Sequence, residues 1–162
     1  MVADGFIQTI RELWWDVRPH HSFGTVEVRI CDLSPDLASV LGLTALIQCL
    51  VQSLSEDIDR GTYQFDSHPM LVRQNKWRAC RYGLEARLVD PYTQALRPAR
   101  AVAASLADRL GGVAESLGCV HYLDQARAMV EQLTGSQRQL EAYRETGDLA
   151  EVVRRFVDQQ SV

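Results

Sequence analysis

Four charged side chains fall at alternate positions in two neighbouring segments: Asp16 and Arg18 in the first, Glu27 and Arg29 in the second. Alternate residues of a strand point to the same face, so a hairpin of two strands would bring all four together. Carboxylate oxygens bind magnesium and guanidinium groups bind phosphate, so this polar face predicts a magnesium–phosphate site. The alternative is a solvent-facing sheet surface with cross-strand ion pairs, a common arrangement that the pattern alone leaves open.

A second candidate site is the cationic segment, residues 67–84, in a chain of net charge −4. It contains no acidic residue and four basic ones: Arg73, Lys76, Arg78 and Arg81. In a helix, Arg73 and Arg81 share one stripe with Trp77, and such a stripe could hold phosphates or a substrate carboxylate. Two readings compete with a catalytic one: a solvated helix face with Trp77 packed into the core, and a non-catalytic anion-binding helical domain.

Composition excludes several classes of function. The acidic net charge argues against general binding to nucleic acid or to anionic membranes. The chain has no phosphate-binding glycine loop, no nucleophile elbow and no zinc-ligand spacing among its histidines and four cysteines. Cys31 and Cys49 lie in apolar runs, which predicts small core residues in a reducing compartment. Without an export signal or an apolar run near the spanning length of about 18 residues, we expect a cytoplasmic protein.

Periodicity and turn residues indicate the elements that would position the polar face. Apolar residues at helical spacing predict a short amphipathic helix over the first dozen residues. β-branched and aromatic residues then predict strands over 14–18 and 25–31, joined by a turn over 19–24. These two strands form the predicted β-hairpin.

The middle of the chain predicts the helix that would carry the cationic segment. Ser34 suits a helix N-cap, with Pro35 at the first helical position, and a broad apolar face predicts a long helix over 37–58. The further predicted elements are a helix over 69–82, a strand over 84–89 and a turn over 90–93.

Beyond Pro98 the pattern becomes wholly helical, with glycines between the segments. The predicted helices cover 99–117, 121–133, 136–145 and 148–160. The predicted fold class is therefore α+β, in which a partial antiparallel sheet (a hairpin and a further strand) packs with helices and a helical subdomain follows. We expect residues 1–97 to form the sheet portion and 98–162 the helical part of one domain.

Two longer runs of sequence are specific enough to compare with known families. The first comprises residues 15–19 (WDVRP), residues 23–29 (FGTVEVR) and Asp32. The second comprises residues 75–85 (NKWRACRYGLE), followed by Asp90 and Pro91. Both runs resemble bacterial carboxylate–amine ligases of the glutamate–cysteine ligase type 2 family, and they occur in the order and separation expected for it.

The resemblance implies a fold related to glutamine synthetase and a role for each candidate residue. It implies Glu27 on magnesium, Arg29 on the transferring phosphoryl group and Arg18 as a further anion-binding arginine. From charge and position in the second run, we infer contacts of Arg78 and Arg81, with Arg73 beside them, to phosphate or carboxylate groups of ATP and substrate.

The implied reaction is phosphorylation of a carboxylate, typically the γ-carboxylate of glutamate, by ATP with Mg²⁺. An amine, such as that of cysteine, then attacks the acyl phosphate. Family members carry a long N-terminal half with further acidic ligands, so we expect a truncated catalytic fold here, completed by an N-terminal-half partner or a homo-oligomer. The competing prediction is a non-catalytic interaction or assembly module that retains the ligase scaffold.

Overall fold

The computed structural model describes residues 1–32, 34, 36–63 and 68–158. The chain separates into two compact units, Met1–Leu33 and Ser34–Val162. The described part is mostly helical and contains two small antiparallel hairpins, which confirms the coarse α+β prediction. The predicted further strand is not a third strand of one sheet, since each hairpin forms its own two-stranded sheet. The division at 97/98 concerned parts of one larger domain and stays a prediction.

The first unit is built on the predicted hairpin. Strand β1 (Val17–His20) pairs antiparallel with β2 (Thr25–Val28). The first strand therefore begins later than predicted and includes Pro19 and His20 of the predicted turn, whereas the second ends three residues early. Gly24 turns the chain at φ +61°, a backbone region in which a residue without Cβ is unstrained. The pairing places Arg18 directly opposite Glu27, so the register juxtaposes two residues of the predicted polar face.

The predicted amphipathic helix over the first dozen residues is wrong. This region contains only one turn of 3₁₀-helix, Ile10–Glu12, closed by a capping box between Thr9 and Glu12. Short helices depend on packing of their apolar face, and Phe6 at the start of this segment is 83% exposed. Periodicity without a surface to bury it does not sustain a helix.

The second unit begins with helix α1 (Leu37–Asp59), as its apolar pattern predicts. Its N-cap is Asp36 rather than the predicted Ser34, because the Asp36 carboxylate accepts a hydrogen bond from the Ser39 backbone N–H at 2.7 Å. An aspartate one position from the helix satisfies an orphan N–H that Ser34 cannot reach. Pro35, predicted at the first helical position, lies outside the described residues.

Small side chains let α1 approach α5 (Val120–Met129) closely and form the core of the second unit. At Gly42 an added Cβ would lie only 2.8 Å from the backbone nitrogen of Ala126. The buried cluster consists of Ala45, Cys49, Ala107, Leu110, Ala114, Cys119 and Leu123. Cys49 is fully buried as predicted, whereas the prediction for Cys31 is wrong, since that residue is exposed.

Helix α1 is also unusually apolar for a helix with an exposed side. Its length and a mean hydropathy of 1.8 over an 18-residue window are those of a helix able to cross a membrane, although only 17% of that window is buried. The expectation of no run of spanning length is therefore wrong. A helix packed inside a soluble protein meets the same criterion of length and composition.

Helix α2 (Pro69–Tyr82) matches its prediction and ends before Gly83. The predicted strand over 84–89 is half right: a 3₁₀ turn, Gly83–Glu85, precedes strand β3 (Arg87–Val89). Strand β3 pairs with an unpredicted strand, β4 (Leu96–Pro98). Only three residues long and ending in proline, β4 offers too little alternation to be predicted.

The C-terminal region forms helices at the predicted places, with one extra break. The predicted helix over 99–117 is two helices, because the backbone N–H of Leu110 bonds to the Leu106 and Ala107 carbonyls and Gly111–Gly112 follow. Residues 159 and 160 of the last predicted helix lie outside the described residues. The helices are α3 (Ala99–Arg109), α4 (Gly111–Leu117), α5, α6 (Gly135–Thr146) and α7 (Leu149–Asp158).

Replacement of Gly42 tests the close contact between α1 and α5. We expect Gly42→Ala to lower the free energy of unfolding by about 1–3 kcal/mol, since the new methyl group would overpack the backbone of Ala126. The matched control is Gly112→Ala in α4, where an added Cβ would meet no side chain and no other element of the described residues within 4 Å. Equal stability of the two variants in urea unfolding would contradict the close-packed contact.

Replacement of Asp36 tests the N-cap of α1. Burial raises the pKa of Asp36, but hydrogen bonds from Ser39 and pairing with Arg138 outweigh it and leave the pKa below its ordinary value. Because the folded-state pKa of Asp36 is depressed, its charged carboxylate stabilises the fold fully above the unfolded-state pKa. This contribution to the free energy of unfolding is lost as the pH falls through the folded-state pKa.

We therefore expect Asp36→Ala to cost about 1 kcal/mol at pH 7, with the difference from wild type narrowing below about pH 4. Asp36→Asn keeps a capping oxygen without the charge, so it should cost less than Asp36→Ala at pH 7. Its difference from wild type should also narrow as the Asp36 carboxylate of wild type becomes protonated. Urea unfolding from pH 3 to pH 7 measures both variants. A constant difference for Asp36→Ala across this range would exclude the carboxylate's contribution.

Candidate functional site

The hairpin brings three of the predicted site residues into one ion cluster. Arg18 donates to one carboxylate oxygen of Glu27 through Nε at 2.9 Å and through a terminal nitrogen at 2.5 Å. Arg29 approaches the other oxygen through Nε at 3.7 Å. Two guanidinium groups therefore face one carboxylate, so the three side chains of this cluster together carry one excess positive charge. The geometry follows from the register, in which Arg18 and Glu27 are cross-strand neighbours.

The two arginines of this cluster are held to different degrees. The side chain of Arg18 is only 13% exposed, and it also donates to the backbone carbonyl of Arg11 at 3.1 Å. Arg29 is 28% exposed, and its guanidinium lies over the ring of Trp14 at 4.9 Å. Arg18 is thus fixed by directed hydrogen bonds, whereas Arg29 is held by a longer ion pair and a cation–π contact, which leaves its position easier to change.

Asp16 reaches the same edge of the hairpin, one position before β1. Its backbone carbonyl accepts a hydrogen bond from the Arg29 N–H at 2.7 Å, which extends the pairing beyond the two strands. The Asp16 residue is half-buried. The register therefore places all four residues of the predicted polar face together, and ion pairs join Arg18, Glu27 and Arg29.

The cluster alone does not make a magnesium site. Magnesium demands octahedral coordination by oxygen, and Glu27 supplies the cluster's one carboxylate, already paired with two guanidinium groups. Within the ranges that the structure describes, no group of three or more His, Cys, Asp or Glu residues is arranged to hold a metal ion. Further oxygen ligands would have to come from outside these residues.

The cationic segment divides into an anchor and exposed groups. Arg78 donates through Nε to the backbone carbonyl of Arg87 and so ties α2 to β3. Arg73 and Arg81 are exposed, and Arg81 lies over the ring of Tyr82 at 5.6 Å. Trp77 is 53% exposed, so the reading in which this side chain packs into the core is wrong. Arg73 and Arg81 are therefore the predicted anion-binding residues of this helix that face solvent.

Asn75 holds α2 against β3, a role that the sequence analysis did not predict for the first residue of the 75–85 run. Its side-chain amide donates to the Val89 carbonyl at 2.8 Å and accepts from the Val89 N–H at 2.7 Å. A side-chain amide can pair in this way with an exposed strand edge, replacing the backbone of a neighbouring strand. The signal was an asparagine inside a helix, where its propensity is poor and a specific contact is the usual reason for its presence.

The hairpin also contains contacts that the residue pattern did not predict. Trp14, beneath Arg29, lies outside both strands and was assigned only to the start of the first strand. The acceptor for Arg18 is a main-chain carbonyl at Arg11, which no side-chain pattern can reveal. An aromatic residue two positions before a charged strand face was the one available signal.

Comparison with known proteins gives a match over nearly the whole chain. The family model described as glutamate-cysteine ligase family 2 matches residues 1–155. A protein of Gloeobacter violaceus, named "Putative glutamate--cysteine ligase 2", is 42% identical over 153 residues, which cover 94% of this chain and 41% of that protein.

Two further relatives show the same uneven coverage. A protein of Frankia casuarinae, named "Putative glutamate--cysteine ligase 2-1", is 40% identical over 162 residues, 99% of this chain and 42% of its own length. A protein of Sorangium cellulosum, named "Putative glutamate--cysteine ligase 2", is 35% identical over 162 residues, 100% of this chain and 43% of its own. The chain spans about two fifths of the length of these curated relatives.

Two arginine variants test whether Arg78 stabilises the packing of α2 more than the exposed Arg81 does. We expect Arg78→Ala to lower the free energy of unfolding by about 1 kcal/mol, because the Arg87 carbonyl loses a charged donor. Arg81→Ala, which removes an exposed side chain from the same helix, should stay within about 0.5 kcal/mol of wild type. Urea unfolding measures both, and equal losses would show that Arg78 is no more structural than Arg81.

Proposed function

Because this chain belongs to the glutamate–cysteine ligase family 2, we propose that it acts as the C-terminal part of an ATP-dependent carboxylate–amine ligase. The observation that carries the proposal is the hairpin cluster, in which the two arginines and the glutamate of a family-like run lie together. A glutamine-synthetase-like catalytic fold, of which this chain supplies a portion, is the corresponding proposal for the fold. A cytoplasmic location accompanies it.

The proposed reaction joins a carboxylate to an amine in two steps. ATP transfers its terminal phosphoryl group to the γ-carboxylate of glutamate, giving an acyl phosphate and ADP. The amine of cysteine, or a similar amine, then attacks the acyl carbon and releases inorganic phosphate, while the amine loses a proton. The protein contributes mainly charge neutralisation and positioning to phosphoryl transfer, which is work suited to arginines.

Arg29 is the residue that we propose to contact the transferring phosphoryl group. Its ion pair with Glu27 is longer than that of Arg18, so an incoming anion can replace it with less loss. Arg18 would keep the carboxylate in place while adding positive charge to the same surface. The unequal attachment of the two arginines thus gives each a distinct role, one positioning and one catalytic.

Glu27 is proposed as one oxygen ligand of magnesium, within a site that this chain does not complete. Bound magnesium would supply Lewis-acid neutralisation of the ATP phosphates. Magnesium sites commonly combine one or two carboxylates with substrate phosphates, so a single glutamate can contribute to one without forming it. The remaining ligands would come from the part of a family-length ligase that this chain does not span.

The cationic segment is proposed to supply secondary anion contacts. Arg73 and Arg81 are exposed on α2 and could meet a phosphate or a substrate carboxylate. Arg78, also proposed earlier as a cofactor contact, has its Nε engaged at the Arg87 carbonyl, so its contribution would come from its other guanidinium nitrogens or through the position of α2.

A non-catalytic assembly module is the second candidate function. The observation that favours it is that Glu27 is already neutralised by two arginines within the chain, as expected for a purely structural ion cluster. ADP release with ATP, Mg²⁺, glutamate and cysteine separates the two functions. The ligase proposal expects no turnover by this chain alone and turnover once the N-terminal part of a relative is supplied.

Substitutions within a family-length fusion test the roles of the cluster. With the N-terminal part of the Gloeobacter violaceus relative fused ahead of this chain, we expect Glu27→Gln and Arg29→Ala to lower the rate of ligation at least about 100-fold. The physical reason is the loss of a metal ligand in one and of transition-state charge neutralisation in the other. Coupled ADP release measures the rate, and circular dichroism checks the fold.

The control is Arg154→Ala, which removes an exposed arginine of α7 paired with Asp148 and Glu151. This variant should keep the rate of the unmodified fusion. Near-normal rates for Glu27→Gln or Arg29→Ala would remove the proposed roles of the hairpin. An inactive but folded fusion, together with inactivity of the mixed parts, would favour the assembly module.

A further inference from the structure

The outward face of α1 is an apolar surface that includes no residue of the hairpin cluster or of the cationic segment. The residues on this face, which we call the α1 seam, follow alternating spacings of three and four residues. Its members are Leu37, Val40, Thr44, Ile47, Val51, Leu54 and Ile58. Leu37 is 70% exposed and Ile58 61%, so the seam is open to solvent at both ends of the helix.

The seam differs from the solvent face of an ordinary amphipathic helix by its lack of charge. From Leu37 to Ser55 the sequence contains no charged residue, and the first acidic side chain is Glu56. The opposite face of α1 is already used, since Gly42 and Cys49 pack against neighbouring helices. A helix apolar on both sides is normally buried on both sides.

The size of the seam places it among interaction surfaces. A helix of 23 residues is about 35 Å long and about 10 Å across, so one face covers on the order of 350 Å². Contiguous apolar patches of this size on a protein surface commonly mark sites of interaction.

We propose that the α1 seam docks onto the part of a family-length ligase that this chain does not span. The relatives match this chain over 94–100% of its length but use only 41–43% of their own, so the larger part of each relative is additional polypeptide. This inference rests on membership of the family and not on the catalytic roles proposed for the hairpin. The occupant is an apolar face of that additional polypeptide.

A second copy of the chain fits the seam less well. One helix face of about 350 Å² is less than half of the roughly 800 Å² that each partner buries in a standard interface. Pairing of two seams alone would therefore fall short of a stable dimer. The additional part of a ligase can surround the helix and extend the contact beyond it.

A lipid surface also fits poorly. Helices that lie on membranes present lysines and arginines beside their apolar face. The seam is flanked instead by Asp36 at its N-terminal end and by Glu56, Asp57 and Asp59 at its C-terminal end, with Arg60 as the neighbouring cation. Anionic lipids would repel both ends of α1.

The test is co-purification of the affinity-tagged 162-residue chain with the untagged N-terminal part of the Gloeobacter violaceus relative, co-expressed in one cell. We expect a one-to-one complex by light scattering for the wild-type chain. Val51→Glu and Leu54→Glu should each reduce the co-purified partner at least tenfold, because a charge would be buried in the contact. Both side chains are 44% exposed, so the substitutions should leave the chain folded, which circular dichroism checks.

The matched control is Val153→Glu, the same substitution at an exposed valine of α7. It should retain the complex. No complex with the wild-type chain, or equal complexes with all variants, would overturn the proposal. Two other results in the absence of the complex would also overturn it. One is a homodimer that Val51→Glu disrupts, and the other is binding to phosphatidylcholine–phosphatidylglycerol vesicles that Val51→Glu abolishes.

The readout is binding, so it is separate from the test of catalysis. A complex that forms through the seam but releases no ADP would uphold this inference while removing the ligase proposal. The reverse outcome is also distinguishable. Turnover by the fusion, together with a co-purified complex that Val51→Glu and Leu54→Glu leave undiminished, would uphold the ligase proposal while removing this inference.

Discussion

The close contact between α1 and α5 is the constraint on which the second unit depends. Gly42 lets the backbone of Ala126 approach to a distance that any Cβ would block, and alanines and cysteines continue the contact along the helix. Small residues bury little apolar area each, so the core relies on close approach rather than on large side chains. With one face of α1 fixed in this way, the remaining apolar residues of the helix are directed outward into the seam.

The hairpin likewise depends on one residue, since the Glu27 carboxylate pairs with two arginines. Glu27 fixes Arg18 by short hydrogen bonds and holds Arg29 more loosely, so the cluster is ordered without being fully neutral. An isolated two-stranded hairpin is only marginally stable in water. The ion cluster and the cation–π contact to Trp14 therefore help to order a structure that the two short strands alone would hold weakly.

The sequence predicted what local pattern determines and failed where tertiary contacts decide. The long helix and α2 were predictable because many residues repeat one period, and Arg18, Glu27 and Arg29 shared a face because strand alternation is strict. The N-terminal helix failed because periodicity cannot reveal whether a burying surface exists. The cap at Asp36 and the anchoring of Arg78 depend on single hydrogen bonds whose partners lie at positions that no pattern marks.

The two buried cysteines of the second unit are withdrawn from thiol chemistry by their surroundings. The sulfur atoms of Cys49 and Cys119 lie 3.6 Å apart, and burial together with the hydrogen bond between the two thiols raises the pKa of Cys49 to about 11. At neutral pH the Cys49 thiol therefore stays protonated, whereas the thiolate is the reactive form. Cys49 and Cys119 thus act as small packing residues of the core, out of reach of oxidants and of exchange with thiols in solution.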